Sequence, residues 1–312
     1  MLEGMIRFTT ATAGWGAVTA LHGVTLALAA GRVTGLVGES GSGKTTLLRA
    51  ALGLVPLRAG TVTVGGTAVG ALLTQDRRAF RARAQLLPQD AAGALSPRMI
   101  VRRLLAEPAA IHGRGQDRVA PLMAALGLAP ALLDRYPHQL SGGQARRVAA
   151  VRALMLDPAI LLADEPTAGL DVSVQGGLLT VLLERQRALG QTLVVCSHNL
   201  NVIRRISDDL VVMYVGEVVE TGPAAALYAA PAHPYTAALL STNPVLDPAR
   251  RRMPIPLRGE VPSILHPPAG CRFHPRCFQA QPRCAVDPPA LVAAEGRQVR
   301  CHYPLAGGST SV

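Results

Sequence analysis

Nine residues, 38–46 (GESGSGKTT), restrict what this chain can fold into more than any other stretch. They follow a short apolar run at 32–37 (RVTGLV) and precede a run suited to a helix at 45–54 (TTLLRAALGL). A strand, a glycine-rich turn and a helix, in that order, form the skeleton of a phosphate-binding unit in an α/β sheet. Gly38, Gly43, Lys44 and Thr45 fall at the P-loop spacing G-x-x-x-x-G-K-[ST]. Gly38, Gly41 and Gly43 let the backbone turn its N–H groups inward around phosphate oxygens, and the helix start adds positive potential there. Lys44 is the only lysine among 31 Lys and Arg residues; a compact ammonium serves where a planar guanidinium would not fit. The chain is expected to bind a nucleotide. Lys44 would reach the β- and γ-phosphates and the Thr45 hydroxyl would ligate Mg²⁺, with Ser40, Ser42 and Thr46 completing the contacts.

The length of 312 residues allows one large domain with an appendage, or two domains. Apolar residues make up 49% of the chain but aromatics only 3%, so Ala, Leu and Val must build the core. No run of about eighteen apolar residues occurs, which excludes a membrane span. The opening MLEGMIRFTT lacks the apolar stretch of a secretory signal, so a cytosolic chain is expected. The net charge of +11 is spread along the chain, with a denser patch at 77–83 (RRAFRAR). Without interleaved aromatics or a nucleic-acid motif, no nucleic-acid partner is expected.

Further segments narrow the nucleotide chemistry. In ILLADEPTAGLD (160–171) an apolar run leads to Asp164 and Glu165, as for a buried strand delivering carboxylates at its end. Asp164 would hold Mg²⁺ in its outer shell, and Glu165 would orient and activate the attacking water. LSGGQ (140–144) places Ser141, Gly142, Gly143 and Gln144 at a helix start, a second anion cradle. One chain needs a single P-loop to hold its nucleotide, so the second cradle suggests a partner's nucleotide.

At LSGGQ the chain resembles the ATP-binding subunits of ABC transporters. In that family two subunits sandwich two ATP molecules head to tail, each signature completing the other's γ-phosphate site. Gln89 in LLPQD resembles the family's Q-loop glutamine, which contacts Mg²⁺ and the membrane subunits. His198 in TLVVCSHNL resembles the switch histidine, and Asp171 the D-loop aspartate. Trp15 resembles the aromatic residue that stacks on adenine. AGLD where SALD is common, Pro88 before Gln89, and AVRAL after the signature depart from the family pattern. None of these removes a group that touches phosphate or Mg²⁺.

PAHPYTAALL (231–240), PHQLSGGQ and LSPRM resemble the oligopeptide, dipeptide and nickel importer branch. Residues 243–268 are Pro-rich and read as a linker or a packed extended segment. Beyond them Cys271, Cys277, Cys284 and Cys301 follow the spacing C-x5-C-x6-C-x16-C. Four thiols in a cytosolic chain suit a [4Fe-4S] cluster or zinc better than disulfides, and the wide gaps favour the cluster, with zinc and unligated thiols the alternatives. Arg272, Arg276, Arg283 and Arg300 flank them and are expected to offset thiolate charge. Cys196, in an apolar run, reads as a core residue.

The expected fold is α/β. A RecA-like P-loop NTPase core with an antiparallel β edge and a helical signature subdomain (about 91–154) would fill residues 1–240. A Cys-rich C-terminal extension would fill 241–312. The resemblance implies an ATPase at the cytoplasmic face of the inner membrane. Its partners would be a second ATPase subunit, identical or related, two permease subunits and, indirectly, an extracytoplasmic solute-binding protein. Peptides are the expected cargo, with nickel or metal chelates also compatible. A soluble ATPase of translation or DNA repair, and a redox- or iron-sensing ATPase, are the alternatives.

Overall fold

The structure, a computed structural model, describes residues 5–91, 93–113, 115–242 and 253–305. By contact the chain divides into two compact units. The first comprises residues 1–6, 28–32 and 63–197, the second 7–27, 33–62 and 198–312.

The first unit is built on three parallel strands, Ala84–Leu87, Ile160–Asp164 and Thr192–Cys196, with Ile160–Asp164 in the middle. Leu86 lies opposite Leu162, and Leu162 opposite Val194. Every residue of Ile160–Asp164 and of Thr192–Cys196 is buried, as in parallel strands covered on both faces; this is why they read as unbroken apolar runs. Cys196 belongs to this core. The helices Val101–Ile111 and Val119–Ala125 pack on Gly142–Leu154, and all three fall within the expected helical subdomain. The long helix Val172–Leu189 ends at Gly190, whose φ of 60° supplies the left-handed cap. Asp157, at a left-handed φ of 45°, accepts both Arg118 and Arg185.

In the second unit Val33–Val37 runs parallel to Asp209–Tyr214, with Leu36 opposite Val211. Asp209–Tyr214 turns through Val215 and Gly216 into the antiparallel Glu217–Pro223, which carries an irregularity between Val218 and Glu220. Arg297–Val299 then pairs antiparallel with Glu217–Pro223, and Val292–Ala294 with Arg297–Val299. The strands Val18–Leu28, Ile6–Trp15 and Leu57–Val64 lie side by side in that order. The helix after the glycine-rich turn spans Lys44–Ala51, shorter than the expected run because Gly53, at a φ of 63°, ends it. Of the Pro-rich stretch, 243–252 lie outside the described residues, and 253–268 form neither helix nor strand.

Aromatic side chains are scarce, and several of them meet here. The Phe273 ring stands edge-on to Tyr214 at 5.3 Å and tilts against Tyr235 at 5.3 Å and His233 at 5.8 Å. His233 caps the helix Pro234–Ser241 by accepting the Tyr235 N–H at Nδ1 (3.0 Å). Its own N–H and that of Ala232 donate to the wholly buried Glu220 carboxylate (2.9 Å each). The His-Pro-Tyr sequence is thus a helix start whose first side chain faces the core.

Burial lowers the His233 pKa from 6.5 to about 3, and the Arg300 charge adds to the effect. The fold therefore needs this imidazole neutral. Its contribution is complete above pH 6.5 and is lost as pH falls toward 3, at ~1.4 kcal/mol per unit. Chemical denaturation should give a stability about 2 kcal/mol lower at pH 5 than at pH 7 from this group. His233→Gln, which keeps the cap acceptor, should lose most of that difference. An unaltered pH dependence in the variant would assign the sensitivity to other groups.

Candidate functional site

Val33–Val37 delivers the chain into the glycine-rich turn, and the turn's path is one that side chains would block. Gly38 has a φ of 149°, and a Cβ there would lie 2.2 Å from the Met213 carbonyl oxygen. Gly43 has a φ of 99°, and its Cβ would lie 2.7 Å from the Ala20 oxygen. Lys44 Nζ folds back over the turn and donates to Gly38 O (2.7 Å), Glu39 O (2.9 Å) and Ser42 Oγ (3.2 Å). These three acceptors are neutral oxygens that a phosphate would outcompete. Ser42 and Thr46 are buried, Lys44 and Thr45 are half-buried, and Ser40 and Gly41 are exposed.

The turn is braced from the rest of its unit. The Glu39 N–H donates to Tyr235 Oη (2.9 Å), and the Glu39 carboxylate takes both guanidinium nitrogens of Arg276 (2.6 and 3.1 Å). The Gly216 N–H donates to Ser42 O (2.9 Å). Trp15 ends its strand 41% exposed, with the Arg49 guanidinium 5.9 Å over its ring. Arg58 binds the turn just after it, at Gly16 O (2.5 Å), Val18 O (3.1 Å) and Thr19 Oγ1 (2.9 Å). His198 is exposed and immediately precedes Asn199, which caps the helix Leu200–Ile206.

In the first unit Asp164 is the last strand residue and only 3% exposed. Glu165 breaks the strand with a φ of 50°, its N–H donating to Cys196 O (3.1 Å). A left-handed Glu is strained by about 1–2 kcal/mol. The break sends its carboxylate off the strand's alternation. Ser141 and Gln144 form a reciprocal cap: Ser141 Oγ accepts the Gln144 N–H (3.2 Å), and Gln144 Oε1 accepts the Ser141 N–H (2.9 Å). Gly142 has open space around it, while a Cβ on Gly143 would press to 3.2 Å from Leu170. Arg146, on the same helix, donates to Gln89 O (2.8 Å). Asp171 is the N-cap residue of Val172–Leu189.

The four C-terminal thiols are free, and all of them line one cavity with His274 and His302. Burial is the main cause that raises Cys271, takes Cys277 up to about 11 and takes Cys301 to about 12. Among the described residues no group of three or more His, Cys, Asp or Glu side chains is drawn together tightly enough to hold a metal ion. The expected preformed centre is therefore not found, although its thiols do share a cavity. The flanking arginines are also committed elsewhere than expected. Arg272 pairs with Glu217 (3.2 Å) and donates to Val215 O, and Arg276 holds Glu39. Arg283 pairs with Asp287 (2.8 Å), and Arg300 donates to Val218 O (3.0 Å) and Pro289 O (3.1 Å).

Residues 21–168 match the family model described as ABC transporter, and 219–284 match the C-terminal region of oligopeptide/dipeptide transporters. The di/tripeptide transport ATP-binding protein DppF of Pseudomonas aeruginosa is 42% identical, over 93% of this chain and 91% of the relative. The chain belongs to the ATP-binding subunits of the oligopeptide/dipeptide ABC transporters. The oligopeptide transport ATP-binding protein OppF of Salmonella typhimurium is 40% identical over 90% of this chain and 87% of its own length. The ATP-binding cassette MJ0796, solved as a dimer bound to ADP and Pi, superposes with a TM-score of 0.64 at 27% identity. It covers 70% of this chain and 98% of its own. This ABC subunit is accordingly an ATPase with the α/β cassette fold. Among the described residues no helix is long and apolar enough to cross a membrane.

Glu39, Tyr235, Arg276 and Arg58 went unread as parts of the site. Glu39 carried a signal, being the one charged residue between the loop's first and last glycines. The signature cap makes a local prediction. Ser141→Ala should destabilise the start of Gly142–Leu154 by about 1 kcal/mol. Hydrogen exchange of the first-turn amides should speed roughly fivefold for that loss. Unchanged exchange would mean that the cap contributes nothing there.

Proposed function

We propose that this ATPase powers the import of short peptides through a pair of membrane permease subunits, from the cytoplasmic face of the membrane. Lys44 takes the β- and γ-phosphates, with the backbone of 38–46 around them and Trp15 against the adenine. Thr45, Gln89 and Asp164 supply oxygens for Mg²⁺, which when bound neutralises charge on the phosphates. A hydroxyl at the helix start and a buried carboxylate at a strand end are donors of the right type. Glu165 holds and deprotonates the attacking water, and His198 hydrogen-bonds the γ-phosphate. Ser141, Gly142, Gly143, Gln144 and Asp171 serve the nucleotide held by a second ATPase subunit, identical or related.

The observation that carries this reading is the Lys44 ammonium caged over a turn in which Gly38 and Gly43 leave no room for side chains. The C-terminal match favours a transporter over a soluble ATPase of translation or repair. The names of the two relatives support peptides as cargo; an extracytoplasmic solute-binding protein would deliver them. Residues 241–312 are read as an importer-type extension of the ATPase domain at 1–240, and its four thiols as ligands of a [4Fe-4S] cluster, with zinc the alternative. Support comes from the number and type of donors around one cavity. Such high thiol pKa values mean that a bound cation would have to displace the protons.

Lys44→Ala should abolish ATP binding. Glu165→Gln should bind ATP, lose at least ~10²-fold in turnover and accumulate an ATP-bound dimer on size exclusion. Full turnover in Glu165→Gln would refute its role as the base. Affinity capture from detergent-solubilised membranes should bring polytopic subunits with this chain; their absence would favour the soluble alternative. Anaerobic purification with iron, sulfide and zinc assays decides the thiol reading. Iron and sulfide in equal amounts are expected, stoichiometric zinc selects the alternative, and metal-free protein removes both.

A further inference from the structure

The C-terminal segment between Cys271 and Cys277 meets the glycine-rich turn at two points. Directly, Arg276 grips Glu39 with a two-pronged ion pair; the arginine side chain is 7% exposed and the glutamate 24%. Arg276 also donates to Tyr214 Oη (3.3 Å). Indirectly, Arg272 pairs with Glu217 and donates to Val215 O. Val215 has a φ of 42°, strained for a β-branched residue. The next residue, Gly216, donates its N–H to Ser42 O (2.9 Å) and accepts the His22 N–H (3.0 Å). Glu39 is thereby tied at its N–H by Tyr235, at its carbonyl by Lys44 and at its carboxylate by Arg276.

We propose that Arg276 is a positioning residue for ATP: through Glu39 it holds the glycine-rich turn in its phosphate-receiving shape, so that the C-terminal segment sets nucleotide affinity. The proposal rests on the reading of that turn as the ATP site. Arg276 does not touch the nucleotide. Its guanidinium matches the carboxylate's geometry in a way that an ammonium cannot. The Phe273 ring packed against Tyr214 and Tyr235 fixes the segment from which Arg276 reaches out. Because Cys277 is the next residue, whatever fixes its backbone also fixes the strut. A preformed cradle binds more tightly because less ordering remains to be done on binding. Losing the strut should weaken ground-state and transition-state binding alike, raising KM without lowering kcat.

The test uses the purified full-length chain, with ATP binding by calorimetry and steady-state ATPase kinetics. Arg276→Gln and Glu39→Gln should each raise the Kd and KM for ATP by roughly tenfold, the usual size of such couplings. In both, kcat should stay within about twofold. The double variant should be no worse than either single one, because both remove one interaction. Arg276→Lys should recover only part of the affinity, and Arg283→Ala, at an exposed arginine just beyond that segment, should leave it unchanged. If Arg276→Gln does not fold, Glu39→Gln and Arg276→Lys carry the test alone. Wild-type affinity in both Gln variants, or additive effects in the double variant, would overturn the proposal. So would a fall in kcat matching the loss of stability. Lys44→Ala separates the two readings: if it still binds ATP at wild-type affinity, it is the ATP site that fails, not the strut.

Discussion

A loop that is to wrap phosphate oxygens must present backbone N–H groups to them, and so cannot use all of those groups to hold its own shape. The stretch from Gly38 to Lys44 meets this constraint by borrowing its shape from its surroundings. Glu39 is fixed through its N–H, carbonyl and carboxylate by three partners, two of them from beyond residue 230. Much of the second unit follows from that arrangement. The pairing of Glu217–Pro223 with Arg297–Val299 sets the C-terminal segment against the sheet. The buried Glu220 and His233 anchor the helix that carries Tyr235. Phe273 joins His233 and Tyr235 to the segment bearing Arg276.

The carboxylates of the first unit meet a different constraint. Asp164 and Glu165 are adjacent, and in a continued strand they would point to opposite faces. The strand stops at Asp164, which keeps the burial of a strand residue, while Glu165 turns left-handed and lies half-buried. Its N–H is satisfied by Cys196 of the neighbouring strand. The strained residue is thus held by the sheet, at a strand end that supplies two carboxylates in different settings. Val215 has a comparable left-handed strain in the second unit, next to Gly216, whose N–H donates to Ser42 O in the glycine-rich turn.

Local pattern made much of this legible. The strand, turn and helix around Lys44, the buried apolar runs and the signature helix start are each set within a few consecutive residues, where periodicity and glycine spacing carry the information. What stayed hidden was set by reach across the fold. Arg276 and Glu39 are 237 residues apart, and no period or spacing joins them. Placed beside cysteines in the sequence, the arginines read as balancing thiolates, yet long side chains answer to whatever carboxylate or carbonyl burial brings within range. Cysteine spacing located the shared cavity but not how closely the thiols converge, because that depends on backbone turns that the gaps between cysteines do not encode. His233 looked like part of a family motif, and its role as a buried cap depends on Glu220 lying beneath it.

The two cations that meet Glu39 show why lysine suits position 44 and arginine position 276. Lys44 holds the Glu39 carbonyl and Arg276 the Glu39 carboxylate. A neutral carbonyl is the weaker partner, so an incoming phosphate can draw the ammonium away at little loss. The flexible four-carbon stem lets that ammonium follow. The guanidinium faces a charged, largely buried partner through two parallel bonds, and breaking them would strand a charge out of water. The same residue is therefore gripped by one cation built to leave and another built to stay. Exchanging them would cost in both directions: an arginine at 44 could not fit or follow the phosphate, and a lysine at 276 would hold the turn only in part while it binds.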